Sequence, residues 1–223
     1  LLLEEAIESF LRQQWDGPKE LIVVNDHPDQ ELVFNHCEVV IVNINRRLRT
    51  LGEKRNLSAA LAKYDYLLIW DDDDIHLPWR IKETMKELPE RHFFKCPQVW
   101  QTNQGIFESQ IWQGDFYYHC TAAYSRHVFE QLGGYRCING GEDLDFEKRI
   151  RLSTDINKYW GVIRLPVERV YYIYRREHGY YHASGIMDLR EIEPNVQEGK
   201  YQLEPKWNLD YCEEVSRLIE LIR

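Results

Sequence analysis

The chain has 223 residues, 43% of them apolar and 29% charged, and a formal net charge of −9. That length supports one globular domain, or one domain with an appendage, and no run of about 18 apolar residues is present to cross a membrane as a helix. The acidic balance argues against bulk nucleic-acid binding, which depends on Lys and Arg neutralising phosphates; a local basic pocket can still hold one small phosphate ligand.

From the N-terminus, Leu3, Ala6, Ile7, Phe10 and Leu11 recur at helical spacing, so residues 2–14 read as an amphipathic helix that Asp16-Gly17-Pro18 ends. Residues 20–24 and 38–42 are short apolar runs that read as buried strands, the first ending in the polar loop Asn25-Asp26-His27-Pro28. Leu57, Ala60 and Leu61 share one face of a helix predicted over 52–63. A third strand over 66–70 runs into Asp71-Asp72-Asp73-Asp74. Pro78 suits the first turn of the next helix, whose apolar face is Ile81, Met85 and Leu88 and which Pro89 is expected to stop. Strands alternating with helices imply parallel pairing with right-handed crossovers. Ligands in such sheets bind beyond the carboxyl ends of the strands, where both Asn25-Asp26 and the aspartate run fall.

Residues 93–124 are rich in aromatic and β-branched side chains and read as strands. A short helix follows over 126–132, with Gly133 as its left-handed cap. Residues 142–151 read as a helix, 167–174 as a strand, 191–207 as a polar irregular stretch, and 210–222 as a final helix on Val215, Leu218, Ile219 and Ile222. The five cysteines are odd in number and form no Cys-x-x-Cys pair, which argues against a zinc ribbon or disulfide framework and for a reducing compartment. The expected location is the cytoplasm, free or peripheral to a membrane. A helix-first start at Leu1, without Met, sets the expectation that residues precede it.

Four adjacent carboxylates repel one another unless cations or donors offset them, and hard cations such as Mg²⁺ or Mn²⁺ want oxygen ligands. In an extended segment residues i and i+2 point the same way, so Asp71 and Asp73 are expected to face one site and Asp72 and Asp74 the other side; the bland alternative is a solvated acidic turn. Gly140-Gly141-Glu142-Asp143 reads as a flexible turn placing two carboxylates at a helix N-terminus, where they also suit the helix dipole as plain capping residues. Lys54-Arg55-Asn56 opens the helix before the third strand, and its guanidinium suits a diphosphate or simply the surface. His178 and His182 follow the late strand and are candidate ligands or structural histidines.

Taken in order, Glu8-Ser9-Phe10-Leu11, Leu21-Ile22-Val23-Val24-Asn25-Asp26, Lys54-Arg55-Asn56-Leu57, Leu68-Ile69-Trp70-Asp71-Asp72-Asp73-Asp74, Gly133-Gly134-Tyr135 and Gly141-Glu142-Asp143-Leu144-Asp145-Phe146 resemble the family 2 glycosyltransferases. The resemblance covers roughly residues 1–185 and implies the α/β fold called GT-A: a mostly parallel nucleotide-binding sheet flanked by helices, a mixed acceptor-side portion and a C-terminal helical tail. It divides the chain into a catalytic domain over 1–185, its first strand lying upstream beside residues 20–24, and an extension with a helix over 186–223. It places the donor nucleotide at Asn25, Asp26, Arg55, Asp71 and Asp72, with Asn25 departing from the two acids often found there. It gives the divalent cation, Mn²⁺ or Mg²⁺, to Asp73 and Asp71 with His182 nearby, as ligand or hydrogen-bond donor beside Ser184. It makes Asp143 the catalytic base, supported by Glu142. The implied partners are a nucleotide-sugar donor, a UDP-sugar first, and a carbohydrate or other hydroxyl acceptor.

The chemistry agrees from below. An attacking hydroxyl must lose its proton, which a carboxylate within hydrogen-bond reach can take, and a leaving diphosphate must be stabilised, which a divalent cation can do. One carboxylate base without a carboxylate nucleophile implies direct displacement with inversion. Trp100, Trp112 and Tyr117, in the aromatic stretch, can stack on an acceptor sugar or simply pack. The competing readings are a sugar-nucleotide nucleotidyltransferase, whose Gly-rich phosphate loop does not appear here, and an inactive nucleotide-sugar-binding protein, against which the acids at 73 and 143 argue.

Overall fold

A computed structural model describes residues 2–103, 106–107, 112–113, 118–153, 160–175 and 198–223. Helix α1 (Leu2–Leu11) leads into β1 (Leu21–Asn25), β2 (Gln30–Val33) and β3 (Val39–Asn43). β1 and β3 pair in parallel, Leu21 opposite Val39 and Asn25 opposite Asn43, so both strands end at the same edge. Helix α2 (Leu51–Leu61) follows β3 and packs back on β1.

The chain then builds β4 (Tyr66–Leu68), β5 (Ile75–His76), α3 (Arg80–Arg91), β6 (Phe93–Lys95), β7 (Gln98–Asn103), β8 (Ile106–Phe107), β9 (Trp112–Gln113) and β10 (Ala122–Ser125). Helices α4 (Arg126–Gln131) and α5 (Glu142–Leu152) precede β11 (Trp160–Val162), β12 (Tyr172–Arg175), β13 (Gly199–Gln202) and α6 (Tyr211–Ile222). A four-stranded sheet runs β11-β6-β10-β4 and is mixed, because β10 lies antiparallel to both of its neighbours. A further sheet, β5-β12-β7-β8, pairs β12 with β7 in parallel and with β5 antiparallel. Among the described residues β1 pairs only with β3, and β4 only with β10.

Two apolar clusters hold these layers. The larger joins Phe93, Phe94, Trp100, Phe146, Tyr171 and Tyr172, none with exposed surface, to Val215 and Leu218 of α6. Burial contributes about 1.5–3 kcal/mol for each such side chain, before conformational entropy is charged against it. The smaller joins Ile7 and Phe10 of α1 to Leu21, Leu32, Val39 and Leu203. The C-terminal stretch expected as an extension thus packs into both clusters, and β13 pairs with β2. It is also tied by polar contacts: Glu4 accepts the Glu204 amide at 2.7 Å, and Glu5 accepts the Asn208 amide and the Tyr211 hydroxyl, each at 2.9 Å.

Pro89 does not stop α3. It lies in the last turn, where a missing N–H and one crowded carbonyl are tolerable, and the helix ends at His92 with φ 53°, its N–H bonded to Leu88 O. Among the described residues no helix is long and apolar enough to cross a membrane, and all five cysteines carry free thiols.

Candidate active site

Asn25 closes β1 with its side chain fully engaged. Its amide donates to Gln30 O and to Asn43 Oδ1, each at 2.9 Å, and its oxygen accepts the His27 N–H at 3.2 Å. The asparagine expected to meet the nucleotide thus shapes the loop that carries Asp26. Asp26 is 6% exposed and accepts the Leu48 N–H at 3.0 Å and Lys54 Nζ at 2.9 Å, with Arg47 at 3.5 Å. Burial opposes its charge, but Lys54, the Leu48 amide and Arg47 more than offset that, and its pKa falls below the usual carboxylate range.

The aspartate run departs from the expected alternation. Residues 72–74 form a turn, and the carboxylate of Asp74 returns beside Asp71: an oxygen from each and the Cys120 thiol lie within 4.8 Å of one another. Asp74 is 2% exposed and accepts the Tyr172 hydroxyl and, at 2.9 Å, the Arg175 N–H. Burial and the neighbouring Asp73 push its pKa well up. Asp74 thus fixes β12 against the turn, while Asp71 stays 32% exposed, Asp72 exposed and Asp73 half-buried. The donor chemistry of Asp71 and Asp73 fits a hard divalent cation. The Cys120 thiol is a soft donor and suits such a cation less.

Helix α2 carries Arg55 to this turn and is clamped against the loop before α5. A Cβ at Gly52 would lie 1.9 Å from Arg136 O, so only glycine permits the approach. Asn56 completes the clamp, donating to Tyr135 O and accepting the Tyr135 N–H, each at 2.8 Å. Gly140 and Gly141 follow at φ 73° and 77°, left-handed values that glycine adopts without strain, and α5 starts with no side-chain cap. Its first residue, Glu142, is 2% exposed and meets Arg55 Nε at 3.2 Å, while Arg55 reaches Asp71 at 3.6 Å. Burial works against the Arg55 charge, but Asp71, Tyr135 and Glu142 more than offset it and push its pKa up. Asp143 is half-buried, and among the described residues it has no ion pair.

The fold therefore brings Arg55, Asp71 and Glu142 together, with Asp143 adjoining, and pairs Asp26 with Lys54. Trp100 is a correction to the expected acceptor wall: it has no exposed surface, and its indole N–H donates to Val170 O at 3.3 Å within the core. Trp112 lies in β9, while Tyr117, His178, His182 and Ser184 fall outside the described residues. Sequence reasoning missed Arg175, whose guanidinium donates to Asp73 O and pairs with Glu5; a contact across 102 positions leaves no local signal. The clamp by Asn56 had one signal, its place directly after Arg55.

Comparisons with known proteins give the fold and the family of the chain. The solved structure of S. aureus TarS 1–349 in complex with UDP-GlcNAc gives a TM-score of 0.56 at 13% identity, covering 83% of this chain and 58% of that one. The mannosyltransferase PcManGT from Pyrobaculum calidifontis, in complex with GDP-Man and Mn²⁺, gives 0.54 at 20% identity, covering 82% of this chain and 55% of that one. A Haemophilus influenzae protein described as an uncharacterized glycosyltransferase is 28% identical over 110 residues, 45% of this chain and 36% of that protein. The chain thus spans little more than half of the solved chains and about a third of the Haemophilus protein. The structural likenesses establish a GT-A fold. A family model described as Glycosyl transferase family 2 matches residues 1–134, more than half of the chain, and the chain belongs to that family.

Proposed function

We propose that the chain transfers a sugar from a nucleotide-sugar donor to an acceptor hydroxyl, with inversion and with the help of a divalent cation. The start of α5 carries this reading: Glu142 is neutralised by Arg55, which leaves the adjoining Asp143 as the carboxylate able to take a proton. The acceptor O–H proton passes to Asp143 as the oxygen bonds to the anomeric carbon. The bond from that carbon to the phosphate oxygen breaks, and the nucleoside diphosphate leaves with the electron pair. General-base help of this kind is worth about 10²–10⁴-fold. No carboxylate forms a covalent intermediate, so configuration inverts.

Arg55, shared between Asp71 and Glu142, offers its guanidinium to the diphosphate, and the loop around Asp26 meets the nucleoside. Asp73 and Asp71 would hold Mn²⁺ or Mg²⁺, which when bound stabilises the leaving diphosphate as a Lewis acid. PcManGT with GDP-Man and Mn²⁺ and TarS with UDP-GlcNAc support a nucleotide-sugar donor; a UDP-sugar is the donor we expect.

Thermal unfolding with UDP- and GDP-sugars, with and without Mn²⁺, tests this. A ligand at 100 times its dissociation constant stabilises by about 2.7 kcal/mol. One sugar nucleotide should raise Tm with Mn²⁺, and Asp73→Asn should lose the metal-dependent part. No shift with any donor, or an undiminished metal-dependent shift in Asp73→Asn, contradicts the assignment.

A further inference from the structure

We propose that Lys95, Glu147, His119 and Tyr135, all of them buried, are positioning residues for the start of α5; the inference rests on the reading of Asp143 as base. Lys95 Nζ of β6 lies 2.7 and 2.9 Å from the two oxygens of Glu147. His119 Nδ1 lies 2.7 Å from Glu147 Oε1, and because a carboxylate only accepts, that nitrogen carries its hydrogen. His119 Nε2 meets the Tyr135 hydroxyl at 2.7 Å, which meets the Tyr124 hydroxyl at 3.0 Å. Exposure is 0% at Lys95, 4% at Glu147, 5% at His119 and 2% at Tyr135, so the chain of contacts is closed to water.

A buried ion pair of this kind is a poor device for stability alone. Desolvation costs several kcal/mol per ion, and apolar replacements of similar volume are often neutral or stabilising. Its placement points to another role. Glu147 sits five residues, about 7.5 Å along the helix axis, from Glu142. α5 is thus tied to β6 at Glu147 and to α2 at Glu142 through Arg55. Tyr135 bridges the two ties: its ring stacks on Phe146 at 4.4 Å, and the Arg55 guanidinium lies 5.8 Å from its centroid. The helix start needs such ties, because two left-handed glycines precede it and no side chain caps it. With Arg149 holding the far end through Leu132 O and Gly134 O, each at 2.8 Å, these attachments set the rotation and tilt of the first turn, and Asp143, next to Glu142, inherits them.

The test uses Tyr135→Phe and the apolar triple variant Lys95→Met/His119→Phe/Glu147→Met, with Asp143→Asn beside them. Hydrogen exchange at the first-turn amides of α5, kcat, donor KM and Tm are measured on each. The triple variant should keep Tm near wild type and Tyr135→Phe should lose only a few degrees; both should exchange faster at those amides and lose about tenfold to a hundredfold in kcat with donor KM unchanged. Wild-type exchange and kcat in a folded variant overturn the proposal, as does a lowered Tm with kcat per folded molecule intact. Should the triple variant not fold, Tyr135→Phe decides alone. Faster exchange alongside a fully active Asp143→Asn would uphold the anchoring and refute the catalytic reading of Asp143, so the two failures are separable.

Discussion

Helix α5 carries two buried glutamates, and each is paired with a base. At Glu142 the partner Arg55 is 14% exposed and shares its charge with Asp71, itself 32% exposed. At Glu147 the partner Lys95 has no exposed surface and donates to both oxygens. The first cluster holds two carboxylates for one guanidinium and opens to solvent, so it can exchange partners when a phosphate or a cation arrives. The second matches one ammonium to one carboxylate and is sealed, so it can only hold position. On the proposed reading, the same pairing of acid and base serves binding or anchoring according to its exposure and its charge balance.

The comparison breaks most sharply at Arg55. Arg55→Ala leaves Glu142 buried without its partner, which should cost about 3 kcal/mol in urea unfolding and at least about 10²-fold in turnover. Near-wild-type values of both would show that the open cluster is ornamental. The closed cluster responds to acid instead. Burial raises the Glu147 pKa, but His119 and Lys95 more than offset this and bring it below the ordinary 4.5. A depressed carboxylate contributes stability that is present above its unfolded value and lost as pH falls through the folded one. Wild type should therefore lose urea stability between about pH 5 and pH 3, and Glu147→Gln, weaker at the outset, should lose less over the same range. Equal slopes would show that this pair carries no share of the acid sensitivity. The smallest effect is expected away from both clusters. Trp100→Phe forfeits one buried hydrogen bond and some packing, about 1–2 kcal/mol, and should leave acceptor KM unchanged; a raised acceptor KM would restore Trp100 to the acceptor wall.

The parts of the fold that sequence disclosed are those whose signal is local. The apolar runs of β1, β3 and β4, the helical spacing of α1 and α6, and the left-handed Gly133 at φ 69° are each written within a few residues. β2 and β13, Gln-Glu-Leu-Val against Gly-Lys-Tyr-Gln, escaped because short, largely polar strands lack alternation and pair across the length of the chain. The candidate site divides in the same way. The acidic run and the Gly-Gly-Glu-Asp turn stand out in one dimension, whereas the Arg55–Glu142 bridge spans 87 positions. The grouping of Asp71 with Asp74 was hidden because a turn at 72–74 replaced the extended backbone that an i, i+2 argument requires. Trp100 misled because aromatic composition does not separate a sugar platform from a core residue; burial does.

The central claim is that Asp143 takes the proton while Glu142 holds Arg55. Single-turnover transfer from bound donor, measured in Asp143→Asn and Glu142→Gln beside donor affinity, tests it directly. Asp143→Asn should bind donor as wild type does and lose transfer by at least about 10²-fold, with Glu142→Gln retaining measurable transfer. An active Asp143→Asn beside an inactive Glu142→Gln would contradict the account and reverse the two roles.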